Sequence, residues 1–427
     1  MSYLRLKIPA KATDAYLYGG YLFLFMQDGI IKYIRFDDLL WAASEDSTDK
    51  KKHLQLVFLP NQYLKGTTYK FLYSFNSITE IIEKEQNDFI QNGDINLEDY
   101  VTDHLFTSFA ELKEIPFDVC MYGGELFIAS DSGVHKSSLQ ADTDYTIEPT
   151  RLFKILDCPS ISLTAKSGML AISGEDEGLF SHEIFSQEKQ FIKDQPAYKG
   201  KSIKAEWSTL YTLINYTNLH QFILLENDVE KKESKLIHHL PTHYRKDARE
   251  QKLITSIGKR NVEMSDLMRD TKINVNDLEF TFNTQTSGFF FFKNGGLQVR
   301  NMIDNNNSFH YSSRLVHQSD LSNALNGKKP ISAIAVPNGC LVETYDNVFL
   351  VRQNETSIIA HEPVYSIRSY LSSNIYRNLA TIVYNDRIEV IAFPQLPTPT
   401  KRNSIFRPGV HKESQPKNTI ETGNYPF

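Results

Sequence analysis

The chain has few of the residues that form cross-links. Its 427 residues include only three cysteines, Cys120, Cys158 and Cys340, which are far apart and contain no CxxC pair. A disulfide framework or a cysteine-ligated metal requires closely patterned cysteines. We therefore interpret the three thiols as small core residues of a protein in a reducing compartment.

Long apolar runs and a strong net charge are also absent. No stretch approaches the ~20 apolar residues of a membrane span, and Met1 to Ala10 lacks the apolar segment of a secretory signal. The net charge of -6 neither requires nor excludes a nucleic-acid partner. We expect a soluble, intracellular, cytoplasmic protein that does not associate with membranes.

The sequence contains none of the common catalytic signatures. There is no GxSxG elbow for a nucleophilic serine, no Walker A motif, and no dinucleotide-binding glycine pattern after a strand. Acidic pairs such as Asp37-Asp38 are common on loops and do not by themselves indicate hydrolysis. We therefore predict no cofactor and no catalytic residues.

A unit of three strands and two turns recurs along the chain. It first occurs from Asp14 to Phe36, with turns at Tyr18-Gly19-Gly20 and Asp28-Gly29. The closest copy starts at Asp118, where D-V-C-M-Y-G-G corresponds to D-A-Y-L-Y-G-G. Glycine permits the positive φ of tight hairpins, and the 22 Tyr and 27 Phe suit half-buried strands.

We count seven such units, each followed by a predicted fourth strand. The second unit starts at Asp118 and has its second turn at Ser132-Gly133, and the others cover about 15–36, 161–185, 202–225, 280–303, 331–352 and 364–393. Fourth strands are predicted at 109–115, 151–156, 235–240 and 357–361, each shortly before a proline. The turn positions 124, 168 and 208 are 44 and 40 residues apart. Four strands in about 40 residues is the period of a propeller blade.

The last unit lacks a fourth strand of its own. After Phe393 the chain is rich in proline, which cannot donate to a β-ladder. Residues Tyr3 to Ile8 alternate like the other fourth strands and precede a proline, so we predict that they complete the last blade and close the ring. The domain prediction is a propeller at 1–393 and a proline-rich basic tail at 394–427.

Two insertions interrupt the period, at about 39–106 and 227–277. In the first, the Ser77-x-x-Glu80 spacing predicts a capped helix, and a second helix is predicted from Asn96 through Leu105. The second insertion is highly charged, with helical segments predicted near 245–252 and 264–269. Neither insertion contains the paired-hairpin signal, so neither is counted as a blade.

This pattern resembles the seven-bladed β-propellers, the fold of WD40 and kelch proteins. The resemblance implies an all-β chain of seven four-stranded antiparallel blades closed by the N-terminal strand. It concerns architecture only, because the Gly-His and Trp-Asp pairs of WD40 blades do not recur and Trp41 and Trp207 are isolated. The doublets Gly19-Gly20 and Gly123-Gly124 resemble kelch blades without their aromatic partners.

Two metal candidates are both better explained structurally. His239 and His243 have the i, i+4 spacing of zinc ligands, with His238 beside them, but Pro241 interrupts any helix. The run Glu175-Asp176-Glu177 lacks the spaced pattern of a calcium loop and fits a solvated hairpin turn. We predict no metal site.

The clearest local charge is basic. Residues 235–260 have seven cations against Asp247 and Glu250, a surplus of +5. We predict a partner-binding surface from this stretch and the tail, formed by Lys235, Arg245, Lys246, Arg249, Lys252, Lys259, Arg260, Lys401, Arg402 and Arg407. The alternative without a binding role is a solvated insertion whose charges only maintain solubility.

The leading functional hypothesis is a non-catalytic scaffold or regulatory subunit that binds a partner protein through its loops, insertions and tail. One alternative is a hydrolase or lyase with a loop-built site at the central channel. Carboxylates and histidines that converge on the channel from several blades would favour it. A weaker alternative is nucleic-acid binding through residues 235–260.

Overall fold

A computed structural model describes residues 3–393, except for 46, 61–75, 92, 142–146, 150–151, 185–194, 208–211, 219–220, 233–250, 263, 284–286, 306–307, 353–354 and 374. The described strands form seven sheets in chain order. We name each sheet after its first, innermost strand.

The first described strand is β1 (Leu4–Pro9), which joins the last sheet. The β2 blade contains β2 (Ala12–Tyr18), β3 (Tyr21–Met26), β4 (Ile30–Arg35) and β6 (Thr107–Glu111), with β5 (Ile95–Asn96) in the insertion before β6. The β7 blade contains β7 (Asp118–Tyr122), β8 (Glu125–Ser130), β9 (Gly133–Ala141), β10 (Ile147–Pro149) and β11 (Phe153–Leu156). The β12 sheet contains β12 (Ser162–Lys166), β13 (Met169–Ser173) and β14 (Leu179–Glu183).

The β15 blade contains β15 (Lys204–Trp207), β16 (Thr212–Asn218), β17 (Gln221–Lys232) and β18 (Gln251–Val262). The β19 blade contains β19 (Leu278–Asn283), β20 (Ser287–Phe292), β21 (Gly296–Asn305) and β22 (Ser308–Asp320). The β23 blade contains β23 (Ser332–Val336), β24 (Gly339–Glu343), β25 (Val348–Arg352) and β26 (Glu355–Ala360). The β27 blade contains β27 (Ser366–Ser369), β28 (Leu379–Val383) and β29 (Arg387–Ala392), together with β1 and β5.

The chain is a β-propeller with six complete blades, and the predicted count of seven four-stranded blades is wrong. The β12 sheet has three strands. Beyond β14 the described chain returns only through two isolated bridges, Glu175 to Ser202 and Leu179 to Tyr198. Among the described residues no regular fourth strand forms in this sheet; Pro196, which has no N–H to donate, and Gly200, which stabilises strands poorly, lie beside the two bridges.

Neighbouring sheets pack face to face around the axis. The innermost strand β2 contacts β7 and β27, β12 contacts β7 and β15, and β23 contacts β27. The middle strands β3, β13 and β28 are buried at every position, because each has a neighbouring sheet on both faces. Apolar residues of the β19 and β23 blades share one core. This double burial explains why these strands are continuous apolar runs rather than alternating ones.

The first and the last described strands of the chain pair with each other, as the sequence predicted. Strand β1 pairs antiparallel with β29, from Leu4 opposite Ala392 to Pro9 opposite Arg387. Its inward side chains Leu4, Leu6 and Ile8 are fully buried, whereas the alternate positions are partly exposed. The prediction that the N-terminal strand completes the last blade is confirmed.

The first insertion packs against this closure. Its helices are α1 (Phe36–Ala43), α2 (Thr48–Phe58), α3 (Asn76–Gln91) and α4 (Tyr100–His104). Strand β5 pairs in parallel with β1, and the Asn378 amide donates to the carbonyl of Val57 at 2.9 Å. The predicted helix at Ser77 is confirmed, and α4 lies within the second prediction. The sequence analysis missed α1 and α2, whose apolar faces are short.

The described part of the second insertion mainly extends the β15 blade. Strands β17 and β18 form a long hairpin, so the helix predicted near 245–252 is contradicted at 251 and 252, which lie in β18. The predicted fourth strand at 235–240 lies outside the described residues. The predicted helix near 264–269 is confirmed as α5 (Met264–Met268), which contacts both β17 and β22 and so links their blades.

The antiparallel order gives the propeller two distinct ends. The turn between the second and third strands of a sheet lies beside the connection that enters its first strand. We call this side the loop end. It includes the turns at 27–29, 131–132, 174–178, 294–295, 345–347 and 385–386, and the connections before β7, β12, β15, β19, β23 and β27.

Candidate functional site

A charged cluster occupies the axis where innermost strands meet. Arg368 on β27 donates from Nε to Asp14 Oδ1 of β2 at 2.8 Å and from a terminal nitrogen to Asp118 Oδ1 of β7 at 2.7 Å. A further Arg368 nitrogen contact reaches Asp14 Oδ2. One guanidinium therefore joins the innermost strands of three blades.

The two aspartates occupy equivalent positions of the two most similar hairpins. Each carboxylate accepts a 2.8 Å hydrogen bond from the next backbone N–H, at Ala15 and at Val119. Asp118 also accepts from the Leu163 N–H of the β12 sheet at 2.8 Å. Internal donors thus occupy both carboxylates, which suits a structural cluster.

Other charged groups continue the cluster along the axis. Burial alone would lower the pKa of Arg368, but Asp14 and Asp118 outweigh it and hold that pKa well above its usual value. Burial raises the pKa of Glu206, with Asp118 adding to the effect and Lys204, 3.5 Å away, opposing it. Burial lowers the pKa of Lys166 to about 8, with Glu206 opposing the shift.

An enzymatic site at the channel was expected to combine carboxylates and histidines from several blades, and the innermost strands supply only the carboxylates. Carboxylates from several sheets do converge on the axis. None of the seven innermost strands, β2, β7, β12, β15, β19, β23 and β27, contains a histidine. Cys120 also faces this region, but burial raises the pKa of its thiol to about 12 and keeps it protonated.

The loop end has a different character, because apolar side chains are exposed there. Eleven large hydrophobic residues are exposed in the described part of the chain. Six of them lie at the loop end, namely Ile115, Phe117, Val275, Ile331, Tyr345 and Tyr365. The other five lie in the first insertion or on the outer strands β22 and β26.

Hydrogen bonds fix the backbone segments that bear three of these side chains. Phe117 follows a buried proline, and its N–H donates to the carbonyl of Ala129 at 2.9 Å. The N–H of Tyr365 donates to the carbonyl of Val383 at 2.7 Å, and its hydroxyl lies 3.2 Å from Asn385 Oδ1. Tyr345, with 80% of its surface exposed, lies in a turn closed by a 2.8 Å hydrogen bond from Thr344 to Asn347.

Two grooves open at this end. The first, with a volume of about 320 Å³, lies between the β7 blade and the β12 sheet and is lined by Phe117, Asp131, Pro159, Ile161 and residues 174–177. The second, of about 280 Å³, lies between the turn of β20 and β21 and the short helix α6 (Ser322–Leu325). Both grooves combine apolar and charged walls.

The predicted basic surface is only partly described. Lys252, Lys259 and Arg260 lie on β18. The remaining predicted residues lie outside the described residues, namely Lys235, Arg245, Lys246, Arg249, Lys401, Arg402 and Arg407, as do His238, His239 and His243. Glu175, Asp176 and Glu177 form an exposed turn, as predicted. Within the described ranges no His, Cys, Asp and Glu group has a metal-site arrangement.

Comparisons with known proteins bear on the fold alone. No protein family model and no curated protein matches the sequence. Among solved structures, the WD40 β-propeller domain of Doa1 aligns over 92% of this chain and 93% of its own, at 7% identity and a TM-score of 0.43. YCF48 bound to D1 peptide aligns over 92% and 96%, at 9% identity and a TM-score of 0.43. The propeller domain of Cps50 (Swd1) from Myceliophteria thermophila aligns over 66% and 98%, at 9% identity and a TM-score of 0.37.

In the described part of the chain, no helix has both the length and the apolar character needed to span a bilayer.

The sequence analysis missed both the charged cluster at the axis and the exposed apolar residues at the loop end. The axis cluster had a local signal, since an aspartate occupies the same position of the repeated D-x-x-x-Y-G-G segment in the two closest hairpins, at Asp14 and Asp118. The loop-end residues had a weaker sequence signal. Phe117 directly follows a proline at the entry to a unit, and Tyr365 lies two residues after one.

Proposed function

We propose that this chain is a non-catalytic interaction module that binds a partner protein at its loop end. The observation that supports the proposal is the concentration of exposed apolar residues there, six of the eleven in the described chain. Covering exposed apolar side chains with a partner removes apolar surface from water, which favours association at this end. Aromatic residues such as Phe117, Tyr345 and Tyr365 are also enriched at interface hot spots.

The rigidity of the support strengthens this proposal. The main chains of Phe117 and Tyr365 are hydrogen-bonded to buried strands, so little backbone conformational entropy is lost there when a partner binds. The axis cluster, in contrast, is occupied by its own hydrogen bonds. In this proposal the cluster holds the blades together and the loops bind the partner, in a reducing, cytoplasmic setting.

The charge of the loop end favours a protein over a nucleic acid. Its turns contain the carboxylates of Asp28, Asp131, Glu175, Asp176, Glu177, Asp346 and Asp386. Negative charge repels phosphate backbones. Nucleic-acid binding would therefore have to use another surface.

Site-specific photo-crosslinking tests the proposal. A photoreactive phenylalanine analogue is placed at Tyr345, at Tyr365, or at Leu105, which is 42% exposed and precedes β6 at the opposite end. We expect the two loop-end positions to capture the same partner in cells of the native host, and Leu105 to capture none. Equal capture at all three positions, or capture at Leu105 alone, would refute the proposal.

A further inference from the structure

The groove between the β7 blade and the β12 sheet is lined by apolar side chains and by four acidic residues, Asp131, Glu175, Asp176 and Glu177, which we call the rim. Phe117, Pro159 and Ile161 supply apolar lining, and 53% of the Phe117 surface is exposed. The volume of about 320 Å³ is at the lower limit of small-molecule pockets, which suits one or two side chains of a partner rather than a large ligand.

The rim is held in a fixed shape. Glu175 has a φ of 51°, which is uncommon for a residue with a side chain. Its N–H and carbonyl exchange hydrogen bonds of 2.9 and 2.8 Å with Ser202, and the Gly174 N–H donates to the Gly178 carbonyl at 2.8 Å. Hydrogen bonds thus hold the backbone of the acidic turn in one conformation before any partner arrives.

The charges of the rim are unbalanced. The groove is lined by the carboxylates of Asp131, Glu175, Asp176 and Glu177. Lys201 Nζ lies 2.8 Å from Glu175 and 3.4 Å from Asp176. Among the described residues no cation forms an ion pair with Asp131 or Glu177. A cation beside an apolar side chain complements the acidic and the apolar residues of this groove.

We propose that this groove binds a protein segment in which a lysine or arginine is adjacent to an apolar residue. The apolar side chain packs on Phe117, and the cation lies between Asp131 and Glu177. This inference rests on the proposed function and adds the chemistry of the partner segment. The aliphatic part of a lysine or arginine side chain adds apolar contact while its charge pairs with the rim.

A random peptide display library screened against the full chain tests this inference. We expect enriched peptides to contain Lys or Arg next to Leu, Ile or Phe. A fluorescein-labelled copy of an enriched peptide is then titrated by anisotropy. We expect the double variant Asp131→Asn, Glu177→Gln to bind the peptide at least tenfold more weakly, and its affinity to depend less on salt. Phe117→Ala should reduce the affinity for the peptide by a similar factor.

The matched control is Asp28→Asn, Asp386→Asn, which makes the same charge change at the loop end outside the groove and should alter affinity less than twofold. Melting temperatures verify that each variant folds. Enrichment of non-basic peptides, or unchanged binding by the groove variants, would overturn the inference. Peptide binding seen only after truncation behind Phe393 would overturn it too, because the chain's own basic tail would then be the occupant.

The two proposals fail in different ways. Partner capture at Tyr345 and Tyr365 without binding of basic peptides would leave the interaction module standing and remove the groove inference. Loss of capture at both positions would remove the proposed function itself.

Discussion

The hydroxyl oxygen of Tyr18 in the β2 blade accepts a 2.7 Å hydrogen bond from the backbone N–H of Gly124 in the β7 blade. The preceding seam repeats the contact, since the hydroxyl of Tyr376 accepts from the Gly20 N–H at 2.7 Å. Gly20 and Gly124 both have positive φ, 100° and 84°. The glycine turn of one blade's first hairpin therefore also donates a hydrogen bond to a tyrosine of the preceding blade.

Replacing Tyr18 with phenylalanine should destabilise the chain by about 1 kcal/mol, because the Gly124 N–H loses its acceptor while the ring is retained. Chemical denaturation measures the change. Tyr345→Phe is the matched control, since 80% of the Tyr345 surface is exposed, and it should leave stability unchanged. Equal midpoints for Tyr18→Phe and the parent would show that this contact contributes nothing.

Replacing Arg368 with leucine should cost about 3 kcal/mol or more, because Asp14 and Asp118 would remain at the axis without their cation. The control is Arg377→Leu, an exposed arginine in the loop before β28. Adding Asp118→Asn to Arg368→Leu should recover part of the loss, since one uncompensated charge disappears. Strict additivity in this double-mutant cycle would contradict the cluster.

The stability of the chain should depend on Lys166 in alkaline solution. Its pKa is about 8 in the folded chain, against about 10.4 for an unperturbed lysine. The unfolded state therefore binds a proton more readily, and stability falls as pH decreases from about 10.5 to about 8. Lys166→Met should remove this pH dependence and raise the free energy of unfolding by up to about 3 kcal/mol at neutral pH. The exposed Lys199→Met should retain the slope, as pH-dependent denaturation would show.

Replacing Leu6 with alanine should cost about 2–5 kcal/mol, because Leu6 is fully buried where β1 completes the β27 blade. The neighbouring Lys7→Ala should cost under about 1 kcal/mol, since it removes only a 2.9 Å surface ion pair with Asp94. Thermal unfolding compares the two. Similar losses for both variants would mean that β1 is not anchored through its apolar face.

The accuracy of the sequence predictions followed the range of the interactions involved. Hairpin turns such as Gly19-Gly20 and Gly123-Gly124 are set by the φ preferences of adjacent residues, so they are visible in the sequence. The closure by β1 was predictable because its alternation matches that of an outer strand. The incomplete β12 sheet was not, because its hairpin signal is normal and the missing strand depends on a later segment around Pro196.

The sequence by itself determined the repeated hairpins and the need for the first strand to complete the last blade, because turns and alternation are local properties. Only the tertiary structure decided which charges meet. Arg368 is 354 residues from Asp14 and 250 from Asp118 along the chain, and closing the ring is what places them within hydrogen-bond distance. Phe117, Tyr345 and Tyr365 lie at one end of the propeller for a different reason, because the antiparallel order of every sheet directs its entry connection and its middle turn to the same side.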